Sequence, residues 1–332
     1  MKNKTSFLTD IKQNLPSGLV VFLVALPLCL GIALASGAPP LSGIIAGIIG
    51  GLVIGFLSNS HISVSGPAAG LAAIVLVGIS DLGSFELFLV AGIIAGIIQL
   101  ILGFVRAGSI SNYFPNNVIE GMLAGIGVII ILKQIPHAVG YDKDFEGNQR
   151  IFDGFNLTEY VTNLSNAISP GAIVITLVSL GILLTWEKIP ALKKIKMLPG
   201  ALVAVAVGIL LNEVFKGSSL EIAKEHLVTL PVPESAEDFK NLITFPDLTG
   251  FRNPKVWILG ATIAIVASIE TLLCIEASDR MDAHKRITDT NLELKAQGIG
   301  NLISAMIGGL PMTSVVVRSS ANANAGATSK TS

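Results

Sequence analysis

Two side chains stand in apolar runs where a bilayer-spanning chain should carry no charge. Glu270 sits in Ser268-Ile-Glu-Thr-Leu-Leu-Cys274, and Arg318 sits in Val315-Val-Val-Arg-Ser-Ser320. A charge near the bilayer centre costs about 2.5–3.5 kcal/mol on insertion scales, so each calls for a functional reason. A guanidinium offers a planar fork of donors that suits an oxyanion. A carboxyl at depth can pair with that arginine, bind a cation or carry a proton, since burial favours its neutral form. The other charges in or beside apolar runs, Glu86, Glu120, Lys133, Glu213 and Glu276, lie within a turn or two of an interface and can reach water.

The elements that must position this acid and base are two interrupted spans. One opens His61-Ile-Ser-Val-Ser-Gly-Pro-Ala-Ala-Gly70, in which Ile62, Val64 and the serines alternate as a short extended piece does. Ser65 is a good N-cap and Pro67 suits a first helical turn, so a helix is expected to start near Pro67. The other reads Gly308-Gly-Leu-Pro-Met-Thr-Ser-Val-Val-Val-Arg318, with Gly309 and Pro311 breaking the preceding helix. Thr313 or Ser314 can cap a helix running to about Gly326. Unwound backbone at membrane depth is tolerated only where protein buries it or it lines a cavity. Two helix N-termini at one place put positive dipole ends there, and an anion is the natural occupant.

The whole chain fits this setting. Of 332 residues, 51% are hydrophobic and only 14% charged, against roughly a quarter charged in soluble domains. A net charge of −1 excludes the basic excess of a nucleic-acid binder. About ten apolar segments are long enough to read as spans: 15–36, 40–57, 62–80, 85–105, 116–134, 169–186, 198–214, 256–276, 296–309 and 311–327. With a cytoplasmic N-terminus, thirteen Lys and Arg fall inside, eight fall outside and Arg318 lies within a span. The positive-inside rule therefore favours that orientation, with the run Lys193–Lys196 as its strongest local signal. Gly43, Gly47, Gly51 and Gly55 recur at the four-residue spacing that lets helix backbones approach, as do Gly92/Gly96 and Gly121/Gly125.

Other signals carry little. Asp142, Asp144 and Glu146 read as a solvated loop. His61, His137, His226 and His284 have no ligand spacing, and only His61 lies near an interrupted span. Cys29 and Cys274 form no disulfide framework. No phosphate loop, zinc motif or nucleophile elbow appears, so neither a metal nor a cofactor is expected and an enzyme is not.

With these residues in view, the chain resembles the SulP (sulfate permease) family of inorganic anion transporters. The resemblance rests on Ala25-Leu-Pro-Leu-Cys-Leu-Gly31 with Ala38-Pro-Pro-Leu-Ser-Gly43, on Val64-Ser-Gly-Pro-Ala-Ala-Gly70, on Ser268-Ile-Glu-Thr-Leu-Leu273, and on Gly308 through Gly326. It implies an all-α polytopic membrane protein with a seven-plus-seven inverted repeat, core and gate domains, and half-helices at spans three and ten. The chain would hold ten of fourteen spans and be a truncated part of its parent. On that pattern the core takes residues 1–107 and 255–332, the gate takes 108–215, and 216–254 is a polar extracellular loop.

The same resemblance implies an anion held by Ser65, Gly66, Pro67, Ala68 and Ala69 and by Ser314, Val315, Val316, Val317 and Arg318. Glu270 would couple a proton, and Phe22, Pro27, Thr271 and Cys274 would line the pocket. Cys274 stands where a bicarbonate-transporting branch has a sodium-binding threonine, and sulfur is a poor ligand for a hard cation. Expected partners are a small inorganic anion such as sulfate or bicarbonate, a proton or sodium ion, membrane lipids and a second copy of the chain, with the protein in the plasma (inner) membrane. The expected activity is secondary active anion transport by an elevator mechanism, proton-coupled or by exchange. Alternatives are a nucleobase permease of the same fold, a sodium-coupled bicarbonate transporter, a membrane-embedded enzyme and a non-transporting regulatory module.

Overall fold

The computed structural model describes residues 7–113, 169–186, 188–189, 200–222 and 243–332, with isolated positions between 121 and 140. Apart from those positions, the expected fifth span at 116–134, the loop acids Asp142, Asp144 and Glu146, and the run Lys193–Lys196 lie outside the described residues. So do His137 and His226.

Helix α1 covers Phe7–Ala35 and carries Pro16 and Pro27 within it. Helix α2 (Pro40–Ile49) starts on a proline, whose fixed φ suits a first turn and whose missing N–H is no loss there. It runs through a π-helical turn, Gly50–Ile54, into the short α3, Gly55–Leu57. Strand β1 (Ser65–Pro67) leads into α4 (Ala69–Leu82), which ends on Gly83 at φ +81°. The Ser84 hydroxyl then accepts from the Leu87 N–H and caps α5, Phe85–Phe104. Later in the chain Asn253 caps α8 (Pro254–Met281) and Asp289 caps α9 (Thr290–Met306). Strand β2 (Met312–Ser314) leads into α10, Val316–Asn324.

The chain divides into two compact units. The first comprises residues 1–116 and 230–332, and the second comprises 117–229. In the second, α6 (Pro170–Trp186) packs on α7 (Gly200–Phe215), where Gly200 leaves room for the Trp186 ring. In the first, the core is built from Ala33, Ile54, Leu71, Phe88, Ile94, Ile263, Leu310 and Met312 among others. Helices α5 and α9 touch backbone to backbone. A Cβ on Gly96 would lie 2.8 Å from the Gly298 carbonyl oxygen, and one on Gly298 would lie 2.6 Å from Leu100 N. Small residues at such contacts replace the hydrophobic drive that lipid does not supply. Gly43 works likewise against the Cys29 carbonyl, whereas Gly51 meets nothing within 4 Å.

Among the described residues four helices are long and apolar enough to cross a membrane: Asp10–Ala35, Pro40–Leu57, Phe85–Phe104 and Pro254–Met281. Shorter apolar helices are Ala69–Leu82, Pro170–Trp186 and Val203–Phe215. Among the described residues the one departure from an all-helical architecture is the antiparallel pair of β1 and β2, in the register Ser65↔Ser314, Gly66↔Thr313 and Pro67↔Met312.

Candidate functional site

The strand pair brings the two interrupted segments together. Because β1 and β2 are antiparallel, α4 and α10 leave from opposite ends of the pair, and each starts two residues beyond its strand. Both helix starts differ from the sequence expectation. Pro67 is the last strand residue rather than the first helical one, and Ala68 occupies the N-cap of α4. Val315, not Thr313 or Ser314, occupies the N-cap of α10, which ends at Asn324. Neither cap makes a side-chain hydrogen bond. The physical reason is that the serines are otherwise engaged. Ser65 Oγ accepts from Gln297 Nε2 at 2.6 Å, and Ser314 Oγ bonds Ser63 Oγ at 2.5 Å. Both helices therefore start without a side-chain oxygen on their first N–H groups, which suits a site for a bound anion.

The backbone accounts sort the donors further. Val315 N–H is taken by the Val64 carbonyl at 2.9 Å, and Leu71 N–H by Ala68 O at 3.1 Å. Val316 N–H is directed at the Cys274 sulfur. The N–H of Ser314 donates to Thr271 Oγ1 at 3.3 Å, so Thr271 holds the strand rather than standing free in a pocket. Ser65, Gly66, Pro67, Ala68 and Ser314 are buried, whereas Ala69 and Val317 are exposed on the first turns. Phe22 and Pro27 are exposed side chains of α1.

Arg318 is the largest fully buried side chain, at 1% exposure. Its guanidinium lies over Gly66, where a Cβ would be 1.9 Å from Nη1. Its hydrogen-bonding neighbours are the Pro67 carbonyl, at 3.5 Å from Nη2, and the thiol of Cys29. Nε has no partner, and no carboxylate among the described residues forms an ion pair with it. A buried guanidinium without a counter-charge is costly unless an anion joins it.

Glu270 does not supply that charge. Its two carboxylate oxygens lie beside Gly70, each 3.0 Å from where a Cβ would stand there, so a larger residue would crowd them. Gly70 belongs to the first turn of α4, so the acid faces a positive helix end. Its Oε2 is buried without a hydrogen-bond partner. The site thus holds an acid and a base separately, each beside a glycine that lets it close on the backbone.

Sequence reasoning missed two features. Cys29 lies in an apolar run with no sign of a role beyond packing, yet its thiol joins α1 to the guanidinium. Glu293, only 1% exposed, is a further ionisable side chain buried in the fold. The signal for it was the spacing Glu293, Gln297, Asn301 on one face of α9. His61 stands in the loop before β1 with Nδ1 buried and unpartnered, and burial and the Arg286 charge hold its imidazole below the usual range. Among the described residues no three His, Cys, Asp or Glu side chains converge as metal ligands do.

Comparison with known proteins finds relatives of both the sequence and the fold. The chain is 29% identical to the Bacillus subtilis protein YvdB over 98% of its own length and 58% of that protein's. It is 25% identical to the bicarbonate transporter BicA of Picosynechococcus sp., over 93% of this chain and 52% of the relative. The chain thus spans somewhat over half the length of these relatives. The fold matches the transmembrane domain of a cyanobacterial BicA with a TM-score of 0.73 at 22% identity, covering 99% of this chain and 80% of that one. It matches SLC26A9 with a TM-score of 0.69 at 17% identity, covering 99% and 52%. The sequence profile of the Sulfate permease family covers residues 11–332, almost end to end, and the chain belongs to that family.

Proposed function

We propose that this chain carries the substrate site of a secondary active transporter for a small inorganic oxyanion of the sulfate or bicarbonate class. The observation that carries the reading is the buried, unpaired Arg318 beside two helix starts that have no side-chain caps. A divalent or monovalent oxyanion would complete the charge of Arg318 and take the open N–H groups of the first turns. The relatives include proteins named as sulfate and bicarbonate transporters, in keeping with that class.

Coupling follows from the place of Glu270. An ionised carboxylate and a bound anion would share the positive end of α4, and like charges at one site repel. A proton on Glu270 removes the repulsion, so anion binding and protonation favour each other, and the linkage is reciprocal. We read the protein as proton-coupled on this ground. Sulfur at Cys274 speaks against a sodium site of the threonine type.

Every site residue lies in the first of the two units. That suits an elevator, in which one body holds the anion and moves as a whole. The first unit is then the core and the second part of the gate. The inverted repeat is supported by the two strand–helix segments, whose strands run antiparallel.

The test is uptake by the intact parent transporter in proteoliposomes. Arg318→Gln should abolish labelled sulfate and bicarbonate uptake while the protein remains folded. Uptake at the wild-type rate would remove the binding role and with it this reading.

A further inference from the structure

Four polar side chains of α9 fall on one face at spacings of four, four and three: Glu293, Gln297, Asn301 and Ser304. All are at most 2% exposed. Each one bonds to a segment that lies outside any helix, or to a neighbour that does. Glu293 accepts from Ser58 Oγ and from Gln297 Nε2, and Gln297 donates to Ser65 of β1. Ser304 Oγ donates to the Leu310 carbonyl at 3.0 Å.

Asn301 does most. Its Oδ1 accepts from Met312 N–H at 2.6 Å, and its Nδ2 donates back to Met312 O at 3.0 Å. The second Nδ2 proton goes to Gln99 Oε1 at 2.6 Å, and Gln99 donates in turn to Ser268 on α8 at 3.4 Å. Met312 needs such a partner. Val315 N–H bonds Val64 O across the strand pair, and hydrogen-bonding direction alternates along a strand, so Met312, three residues before Val315, turns both its N–H and its C=O away from β1. Asn301 therefore bonds the outer edge of β2 as a third strand would, with its oxygen and one amide proton, and its other amide proton goes to Gln99. In a membrane interior an unmet amide or an unpaired strand edge is costly, so this arrangement has few alternatives.

We propose that Asn301 is the positioning residue of the anion site. By fixing both backbone groups of Met312 it sets the register of β2 against β1. That register decides where α10 begins, four residues on, and where Arg318 lies over Gly66. Gln99 acts one step back, by holding the Asn301 amide in the orientation that Met312 requires. The proposal rests on the oxyanion reading of this same site, and its test separates the two.

The experiment uses the full-length parent transporter with sulfate as probe. Two readouts are taken: sulfate KM and Vmax from proteoliposome uptake, and backbone hydrogen exchange over residues 310–318. Asn301→Ala should raise KM about tenfold, about 1.4 kcal/mol of binding, with Vmax within about threefold of wild type. Exchange at Met312 and the residues after it should quicken by at least about tenfold while α5 stays protected. Gln99→Ala, which leaves both Met312 bonds in place, should raise KM by only about two- to threefold. Should Asn301→Ala not accumulate folded, Asn301→Ser carries the same expectation.

A KM within twofold of wild type in the folded variant overturns the proposal, even if exchange quickens, because the bonds would then be structural only. Loss of folding in both Asn301 variants, with Gln99→Ala at wild-type KM, overturns it as well. If wild type takes up no oxyanion, the functional reading fails by itself. Faster exchange confined to 312–318 in Asn301→Ala would then still support the positioning role, and unchanged exchange would overturn it.

Discussion

Gly66→Ala isolates the placement of Arg318 from its charge. The new Cβ would lie 1.9 Å from Nη1 and 3.0 Å from Cζ, while a carbon and a nitrogen in contact need about 3.5 Å. The guanidinium is the far end of a flexible side chain, so it moves by about 1.5 Å and the strand stays. Take an anion whose charge centre lies about 4 Å from the guanidinium, at an effective dielectric of about 20. The attraction is then about 4 kcal/mol, and at about 5.5 Å it is about 3 kcal/mol. The shift alone costs about 1 kcal/mol. Loss of one charge-assisted hydrogen bond brings the total to about 2–4 kcal/mol. Sulfate KM should rise by about thirtyfold or more. The assay is initial uptake rate against sulfate concentration in proteoliposomes, with a thermal melt of the same preparation. The melt should move little, because the displaced group is a side-chain end and no backbone is forced apart. A folded variant with wild-type KM would refute the claim that Arg318 in its place over Gly66 holds the anion.

Other expectations follow from the same structure. Glu270→Gln should keep sulfate binding but lose the acceleration of uptake by an inward proton gradient; an undiminished response would make the acid structural. Gly298→Ala puts a Cβ 2.6 Å from the Leu100 backbone nitrogen, where nothing flexible can yield. Overpacking of this kind costs about 1–3 kcal/mol, so a clear fall in melting temperature is expected, and an unchanged one would contradict the close α5–α9 contact. Asp282, just past the end of α8, accepts two hydrogen bonds from the Arg286 guanidinium, at 2.6 and 2.9 Å. Those bonds hold its carboxyl well below the usual carboxylate range. Its folded-state affinity for protons is thus depressed, and the stability it gives is present above about pH 4 and lost as pH falls below that. Asp282→Asn should lower the melting temperature at neutral pH and flatten its fall in acid.

Much of the site was legible because membranes make polar residues conspicuous. Glu270 and Arg318 stood out as charges in apolar runs, and Ser65-Gly-Pro67 and Gly309-Leu-Pro311 stood out as interruptions. Alternating Ile62 and Val64 marked the extended backbone, and the structure pairs its continuation, Ser65–Pro67, with Met312–Ser314. The helices start one or two residues beyond the positions that local sequence favours. A serine before a proline is a good cap by local chemistry, but Ser65 and Ser314 spend their hydroxyls across the fold on Gln297 and Ser63. Glu293 lies just before the apolar run 296–309, a place where a carboxylate usually reaches water. Here Ser58 and Gln297 enclose it.

Composition and order along the chain determine a polytopic helical protein with two broken spans, since the bilayer demands long apolar helices and penalises every exception. They also fix which residues are the exceptions. What they leave open is which exceptions meet. Glu270 and Arg318 invite pairing on charge alone, yet folding sets one against Gly70 and the other against Gly66, Pro67 and Cys29. Separation of some fifty residues in sequence carries no information about that choice. It is made by the antiparallel register of two three-residue strands and by the polar face of α9 that holds them. Only the tertiary structure brings those contacts together, and they leave the arginine buried with no counter-charge among the described residues.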